Sequence, residues 1–242
     1  MPELIPISDS TWKLLEAPST ATLTTVLSKH GLWNTFMTGV HPLGNPTRMV
    51  GQAFTLRYIP AREDLDHTGV FDNLTDAQRL AVERISPRDI LVIDARGEAR
   101  AGTMGNILAT RMKVRGCVGF VSDGCYRDTA NILSLGLPTY GKGMHAATNK
   151  TIHHPADFQL PVGCGGVAVY PGDILVGDSD GVVVIPRHLA AKVAEEAAAM
   201  EDRESFYLEK IQGGASIIGT YPPNEETMAE YRRWKESRGT PS

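Results

Sequence analysis

Apolar and polar positions follow two alternating patterns through the middle of the chain. Short apolar runs at residues 90–94, 117–122 and 137–140 are typical of buried strands. The segments between them, residues 106–114 and 128–135, have the length and mixed polarity of short helices. Because strands and helices alternate in this order, the pattern predicts a largely parallel sheet.

The residues before this central pattern predict three further elements and a loop. Residues 20–31 are typical of a short helix that ends at a glycine. Residues 49–58 predict a strand, and residues 75–83 predict a helix for which Thr75 is a suitable N-cap. Several glycines and prolines between the first helix and this strand indicate a loop over residues 33–47.

A second strand-rich part follows the central pattern. Residues 167–170, 174–177 and 182–185 are apolar runs separated by tight turns of Pro, Gly, Asp and Ser, which suggests antiparallel pairs. An alanine- and glutamate-rich segment then begins after Pro186 and predicts a long helix to about residue 211.

The chain has no linker rich enough in Gly, Ser or Pro to divide it into two domains. Residues 1–242 are therefore expected to form a single α/β domain with a core over about residues 21–213. The polar, proline-containing residues 222–242 predict a loosely held tail or an arm that lies on a neighbouring subunit.

Composition narrows the possible partners. The 242 residues are 42% hydrophobic with a net charge of −4 and no block of Lys or Arg, which argues against nucleic acid as the main partner. There is no apolar run of membrane-spanning length and no leader-like N-terminus, so we expect a cytoplasmic protein without a membrane partner. The three cysteines form no CxxC pair and indicate reduced thiols.

The stretch from residue 101 to residue 129 carries the candidate chemistry. Gly105 precedes a predicted helix whose first residues, Asn106, Ile107 and Leu108, would present unpaired backbone N–H groups to an anion. Arg127 and Asp128 follow the strand at residues 117–122, and ligands of open α/β sheets bind at that end of a strand. Arginine can bind a carboxylate through two N–H groups, and aspartate can hold a hard divalent cation.

The same residues allow a purely structural interpretation. Arg127 and Asp128 could form a surface ion pair, with Asp128 as the cap of the following helix. His153 and His154 precede a proline in a polar segment, which predicts a solvent-exposed loop. The residue types alone leave these alternatives open.

Several short motifs occur in a fixed order along the chain, at residues 105–108 (GNIL), 116–119 (GCVG), 123–128 (DGCYRD), 137–140 (LPTY), 171–174 (PGDI) and 178–186 (DSDGVVVIP). Their order and spacing resemble those of one known family, the class II pyruvate aldolases, and the resemblance extends from Leu23 to Gly213. These enzymes cleave 4-hydroxy-4-methyl-2-oxoglutarate and 4-carboxy-4-hydroxy-2-oxoadipate, and their superfamily includes the regulator of ribonuclease activity A.

The resemblance implies a swivelling-type α/β/β domain with mixed sheets and a long C-terminal helix. It further implies a homotrimer or homohexamer with sites at subunit interfaces. By position, Arg127 corresponds to the arginine that binds the pyruvyl carboxylate, and Asp128 to the aspartate that anchors Mg²⁺ or Mn²⁺. Gly105 and the backbone of Asn106, Ile107 and Leu108 correspond to the amides that receive the same carboxylate.

Two further positions bear on this implied site. The family has an acidic residue directly after Gly105, whereas this chain has Asn106. The loss of that charge should weaken cation binding or change how the waters of the cation are held. The family also supplies an acidic side chain from the C-terminal helix of the adjacent subunit, for which Glu204 is the nearest match and Glu201 the alternative. Taken singly, each glutamate is better explained by a solvated face of an amphipathic helix.

The activity implied by the resemblance is that of a metal-dependent lyase acting on a 2-oxo acid through a pyruvate enolate. Retro-aldol cleavage of a 4-hydroxy-2-oxo acid is the main reaction expected, with oxaloacetate decarboxylation as a related activity. Two alternatives stay open: a non-catalytic regulator that binds a protein partner, and a sugar-acid dehydratase on the same scaffold.

Overall fold

The computed structural model describes residues 5–45, 48–70 and 72–238. Within them lie seven α-helices: α1 (Asp9–Leu14), α2 (Thr20–Lys29), α3 (Ala77–Arg84), α4 (Asn106–Val114), α5 (Thr129–Leu133), α6 (Ala190–Gln212) and α7 (Glu225–Ser237). The strands described are β1 (His41–Pro42), β2 (Met49–Pro60), β3 (Asp89–Asp94), β4 (Gly119–Ser122), β5 (Cys125–Tyr126), β6 (Thr139–Gly141), β7 (Gly143–Met144), β8 (His153–Phe158), β9 (Val162–Cys164), β10 (Val167–Val169), β11 (Ile174–Gly177) and β12 (Val182–Ile185).

An eight-stranded mixed sheet forms the centre, in the order β1-β6-β4-β3-β2-β11-β12, with β8 also paired to β2. The strands from β2 through β3 and β4 to β6 run parallel, which confirms the parallel sheet predicted from the alternating pattern. The predicted antiparallel pair of β11 and β12 is also confirmed. By contrast, β10 pairs with β9 in a separate two-stranded sheet.

Strand β2 is the longest of the described strands, and both halves of the sheet pair with it. One of its edges pairs with β3 along its middle six residues. Its other edge pairs first with β11 and then, towards its C-terminal end, with β8, with a register shift between Arg57 and Tyr58. Such an irregularity bends a strand, which allows one edge to accept two partners in succession.

Helices cover the sheet on two sides and bury its apolar residues. Helices α3, α4 and α5 pack on one side, where Phe120 and Tyr126 are fully buried. On the other side, α1, α2 and α6 cover β11 and β12. The mixed α/β domain with a long C-terminal helix is thus the fold class that the sequence predicted. None of the helices in the described ranges is long and apolar enough to cross a bilayer.

The structure corrects two boundaries. Helix α3 begins at Ala77 and is capped by Asp76 rather than Thr75, because the Asp76 carboxylate accepts the backbone N–H groups of Gln78 and Arg79. Residues 222–238 are also not a loose tail, since α7 forms there and buries Tyr231 against α6. The other alternative for this segment, an arm on a neighbouring subunit, stays a prediction.

The expectation of an exposed loop at His153 and His154 is wrong, because both residues belong to β8. His153 is fully buried and its ring stacks on Tyr58 with centroids 5.2 Å apart. Burial lowers the pKa of His153 to about 4, and the positive charge of Arg96 acts in the same direction. The histidine therefore serves as a neutral core ring at neutral pH.

The buried histidine predicts acid sensitivity of the fold. Between pH 6.5 and about 4, the unfolded chain would bind a proton at His153 that the folded protein does not bind, so stability decreases as pH falls through this window. The free energy of unfolding is measured by urea titration at several pH values. Between pH 6.5 and about 4, the wild type should lose up to about 3 kcal/mol more of it than His153→Phe does. If the free energy of unfolding of the two proteins depends on pH in the same way, His153 is not the source of the acid sensitivity.

Candidate functional site

The candidate site lies where two segments distant in the sequence run side by side. Strand β4 leads through β5 to Arg127, while the segment from Gly102 to Gly105 leads into α4. A β-bridge joins Gly102 to Cys125, and the Arg127 N–H donates to the Met104 carbonyl at 3.0 Å. These backbone contacts bring the start of α4 next to Arg127 and Asp128.

Two glycines allow this close approach. A Cβ atom at Gly102 would lie 2.6 Å from the Arg127 Cβ, and one at Gly105 would lie 2.8 Å from the Asp128 Oδ2. Real Cβ atoms do not approach other atoms so closely, so a side chain at either position would displace the Arg-Asp pair. The glycines thus form a cradle for the two charged residues.

Asp128 faces α4 rather than capping its own helix. It occupies the N-cap position of α5 with a left-handed backbone (φ 55°), yet its side chain makes no capping hydrogen bond there. Instead its Oδ2 accepts a long hydrogen bond of 3.4 Å from the Asn106 N–H. The capping alternative is therefore wrong, and the carboxylate is held beside the positive end of the α4 dipole.

Arg127 forms a loose ion pair with Asp128, as the structural interpretation of the sequence predicted. Its Nε lies 3.8 Å from the Asp128 Oδ1, beyond hydrogen-bond distance, and its side chain is 44% exposed. The guanidinium therefore keeps donors available for a ligand. Gly105 supplies no side-chain cap to α4, so the N–H groups of Ile107 and Leu108 are also available at the helix start.

Together these groups line one cavity of about 270 Å³. This volume is slightly below the range of about 300–1,000 Å³ typical of small-molecule sites, which suits a small acid. The cavity brings together all the predicted substrate-binding residues with Arg127 and Asp128. Its lining comprises Gln78, Arg79, Gly102, Thr103, Met104, Gly105, Asn106, Ile107, Leu108, Arg127, Asp128, Thr148 and Asn149.

A buried polar network forms part of this lining. The amide nitrogen of Gln78 donates to the Tyr58 hydroxyl at 2.6 Å and to the Thr103 carbonyl at 2.8 Å. The Tyr58 hydroxyl donates to the same carbonyl, and the Asn149 amide donates to the Gln78 oxygen. The network fixes Thr103 between the two glycines of the cradle, so it stabilises the geometry of the site.

The sequence gives no signal for this second group of lining residues. Gln78, Arg79, Thr148 and Asn149 come from α3 and from the segment before β8, and no motif connects these parts of the chain. The Gly102 N–H donates to the Ala147 carbonyl at 2.9 Å, which holds Thr148 and Asn149 beside the site.

Asp123 has a different role from its neighbours in the DGCYRD motif. Its carboxylate accepts the backbone N–H groups of Ala95 at 2.6 Å and Gly97 at 2.9 Å, which ties the end of β4 to the end of β3. Burial raises the pKa of Asp123. It is absent from the described lining of the cavity and acts as a structural connection beneath the site.

The two candidate glutamates lie away from this cavity in the same chain. Glu201 accepts the backbone N–H of Ser19 at 2.8 Å at the start of α2. Burial raises the pKa of Glu204, and the adjacent charge of Glu201 acts in the same direction. The expected contribution of either glutamate to a neighbouring subunit's site stays a prediction.

The cavity contains few acidic groups. Asp128 is the one carboxylate in its described lining. Across the described ranges, no group of three or more His, Cys, Asp or Glu side chains is arranged to hold a metal ion. A cation at Asp128 would therefore take its other ligands from water or from a bound substrate, as Mg²⁺ commonly does.

Comparison with known proteins indicates the family of the chain. Residues 15–184 match the model of the RraA-like family, described as aldolase/RraA. A protein of Halalkalibacterium halodurans with the provisional name 4-hydroxy-4-methyl-2-oxoglutarate aldolase is 34% identical over 191 residues, which cover 79% of this chain and 84% of the relative.

Two solved structures have the same fold. A Pseudomonas syringae protein described as uncharacterized is 26% identical with a TM-score of 0.80, and the match covers 90% of this chain and 96% of the other. Streptomyces coelicolor RraAS2, described as an unusual member of the RNase ES inhibitor RraA family, is 30% identical with a TM-score of 0.75. That match covers 84% of this chain and 98% of RraAS2. The chain therefore belongs to the RraA-like (aldolase/RraA) family.

Proposed function

We propose that this protein is a divalent-cation-dependent lyase that cleaves a 4-hydroxy-2-oxo acid and releases pyruvate. The observation that carries the proposal is the convergence of Arg127, Asp128 and the α4 N-terminus on one small cavity. The provisional aldolase name of the Halalkalibacterium relative supports the same reaction class.

The substrate carboxylate would bind between Arg127 and α4. The guanidinium can donate two parallel N–H bonds to a carboxylate, and the 3.8 Å separation from Asp128 leaves these donors available. The first N–H groups of α4 and the helix dipole favour the same negative charge. This arrangement orients the 2-oxo group of the substrate towards Asp128.

Asp128 is suited to hold Mg²⁺ or Mn²⁺. Both ions prefer oxygen ligands, and the missing side chain at Gly105 leaves the Asp128 Oδ2 unobstructed on that side. When bound, the cation would act as a Lewis acid on the 2-oxo group. We include in the proposal a homotrimer or homohexamer in which Glu204 of the partner subunit adds a second carboxylate.

The reaction balances as a retro-aldol cleavage. The C4 hydroxyl loses its proton, the C3–C4 bond breaks, and its electron pair passes to C3 and the 2-oxo oxygen as an enolate. Protonation at C3 then gives pyruvate, while C4 leaves as a carbonyl. Because the described lining contains no histidine or lysine, we assign water beside Asp128 as the base. Oxaloacetate would reach the same enolate by losing CO₂.

A second candidate function is regulation of a protein partner. The likeness to RraAS2, a member of an RNase ES inhibitor family, favours it. A regulator needs no ligand in the cavity, whereas a lyase should be stabilised by its ligands. Dehydration of a sugar acid, the remaining alternative, would proceed without cleavage of the C3–C4 bond.

Substitution of Arg127 tests the proposed lyase. Arg127→Met should lower kcat/KM for metal-dependent pyruvate release from 4-hydroxy-4-methyl-2-oxoglutarate by at least about 100-fold, because the carboxylate loses its charged partner. Pyruvate is measured with Mg²⁺, Mn²⁺ or EDTA, and oxaloacetate serves as the second substrate. Arg111→Met, on the exposed face of α4, is the matched control.

If Arg127→Met releases pyruvate as fast as the wild type, Arg127 does not bind the substrate carboxylate. If the wild type releases pyruvate from neither substrate and Mn²⁺ with pyruvate causes no thermal stabilisation, the lyase proposal fails. That result would favour the regulator.

The residue at position 106 should control cation affinity. Asn106→Asp places a carboxylate next to Asp128, and this added charge should lower the Kd for Mn²⁺ by roughly tenfold. The measurement is calorimetric titration of each metal-free protein with Mn²⁺. Gln212→Glu adds the same charge at the exposed end of α6 and should leave the Kd unchanged. Equal affinities for both variants would refute a role for position 106.

A further inference from the structure

A second cleft, of about 370 Å³, lies at the carboxyl ends of three strands and is not used by the proposed cleavage. Its lining includes Arg96, Gly97, Asp123 and Lys142, and we call it the sheet-end cleft. Arg96 follows the end of β3, Asp123 the end of β4 and Lys142 the end of β6. These strands are neighbours and run parallel. Ligands of α/β sheets bind in the crevice outside such strand ends.

The backbone of Arg96 has a conformation that is unusual for its residue type. Its φ is 61°, in the left-handed region that glycine adopts freely and other residues adopt at a cost in free energy. The Asp94 carboxylate accepts the Arg96 N–H at 2.9 Å, and Asp123 accepts the Gly97 N–H at 2.9 Å, so this turn is held in place. A strained residue that its surroundings fix in this way points to a function for its side chain.

Both cationic side chains of the sheet-end cleft keep donors for a ligand. The Arg96 Nη2 makes two long contacts, with the Ile152 carbonyl at 3.4 Å and with the neutral His153 ring at 3.3 Å. The Lys142 Nζ donates to the Gly97 carbonyl at 2.8 Å, which places the ammonium beside the turn that contains Arg96. Among the residues that the structure describes, neither cation forms an ion pair with a carboxylate. Their remaining N–H groups can therefore bind an anion.

The charges of the sheet-end cleft favour an anionic ligand. Asp123 is the one carboxylate in its described lining, and it accepts the backbone N–H groups of Ala95 at 2.6 Å and Gly97 at 2.9 Å. These contacts use the carboxylate to hold the turn rather than to balance Arg96 or Lys142. The remaining lining, from residues 34–39 and 165–166, is uncharged. Two cations thus face one carboxylate that already has partners.

We propose that the sheet-end cleft is a separate binding site for a small oxyanion, a phosphate or carboxylate group of a metabolite, held by Arg96 and Lys142. A guanidinium and an ammonium bind either group through charge-assisted hydrogen bonds. In the described ranges, no residue lines both this cleft and the cavity that contains Arg127. The inference therefore does not depend on the proposed lyase activity.

Calorimetric titration with inorganic phosphate, and separately with acetate, tests the site. The ionic strength is held constant with NaCl, so that screening is equal in every titration. Lys142→Met should raise the Kd for phosphate at least about tenfold, since a charge-assisted hydrogen bond is lost. Tighter binding of phosphate than of acetate would assign a phosphate group to the site, and the reverse order would assign a carboxylate.

Lys113→Met is the matched control. The Lys113 Nζ also donates to a backbone carbonyl, that of Leu135, but Lys113 lies outside the described lining of the sheet-end cleft. This variant should bind phosphate with the Kd of the wild type.

Arg96→Gly separates the side chain of Arg96 from its backbone conformation. Glycine adopts the left-handed conformation without strain, so the variant should unfold at a Tm about 2 °C above that of the wild type when no anion is added. It should also bind phosphate at least about tenfold more weakly, because the guanidinium is lost. Thermal shifts with and without phosphate measure both effects.

Arg127→Met shows which of the two sites binds the anion. It should retain the phosphate affinity of the wild type, since Arg127 lines the other cavity. Loss of phosphate binding in Arg127→Met, but not in Lys142→Met and Arg96→Gly, would overturn the proposal. A wild type that gives neither heat nor thermal stabilisation with phosphate or acetate would overturn it as well, while the lyase proposal would be unaffected.

Discussion

Backbone pairing between the segment before α4 and the segment after β5 is the constraint on which the site depends. The Thr103 N–H donates to the Cys125 carbonyl at 2.7 Å, and the Arg127 N–H donates to Met104 at 3.0 Å. The two segments can approach this closely because Gly102 has no side chain. Arg127, Asp128 and the start of α4 are therefore positioned by main-chain geometry, which is more rigid than a contact between long side chains.

The polar interior beneath this pairing extends the same constraint. Asp123 ties the end of β4 to the end of β3 through two backbone N–H groups, and Tyr58 with Gln78 fixes the Thr103 carbonyl. Each of these buried polar groups has partners, so the network is rigid. His153 adds an apolar contact by stacking on Tyr58. The charged groups of the small cavity are therefore attached to a rigid part of the backbone.

The electrostatics of the cavity follow from its unequal composition. Arg127 and the N-terminus of α4 lie beside one carboxylate, that of Asp128. Such an arrangement favours anions and, through Asp128, permits a cation to share the site with them. It agrees with a small carboxylic acid as ligand, whichever reaction follows.

The sequence by itself determined the strand and helix order, the parallel sheet centre and the placement of residues 105–108 near Arg127 and Asp128, because local periodicity and contiguous motifs record these features. The tertiary structure alone decided that Asp128 faces α4, that His153 is buried and that α7 packs on α6. It also brought Gln78, Arg79 and Asn149 to the cavity. These contacts arise from pairing between distant strands and from packing of a few apolar side chains on polar segments, and neither leaves a periodic signal in the chain.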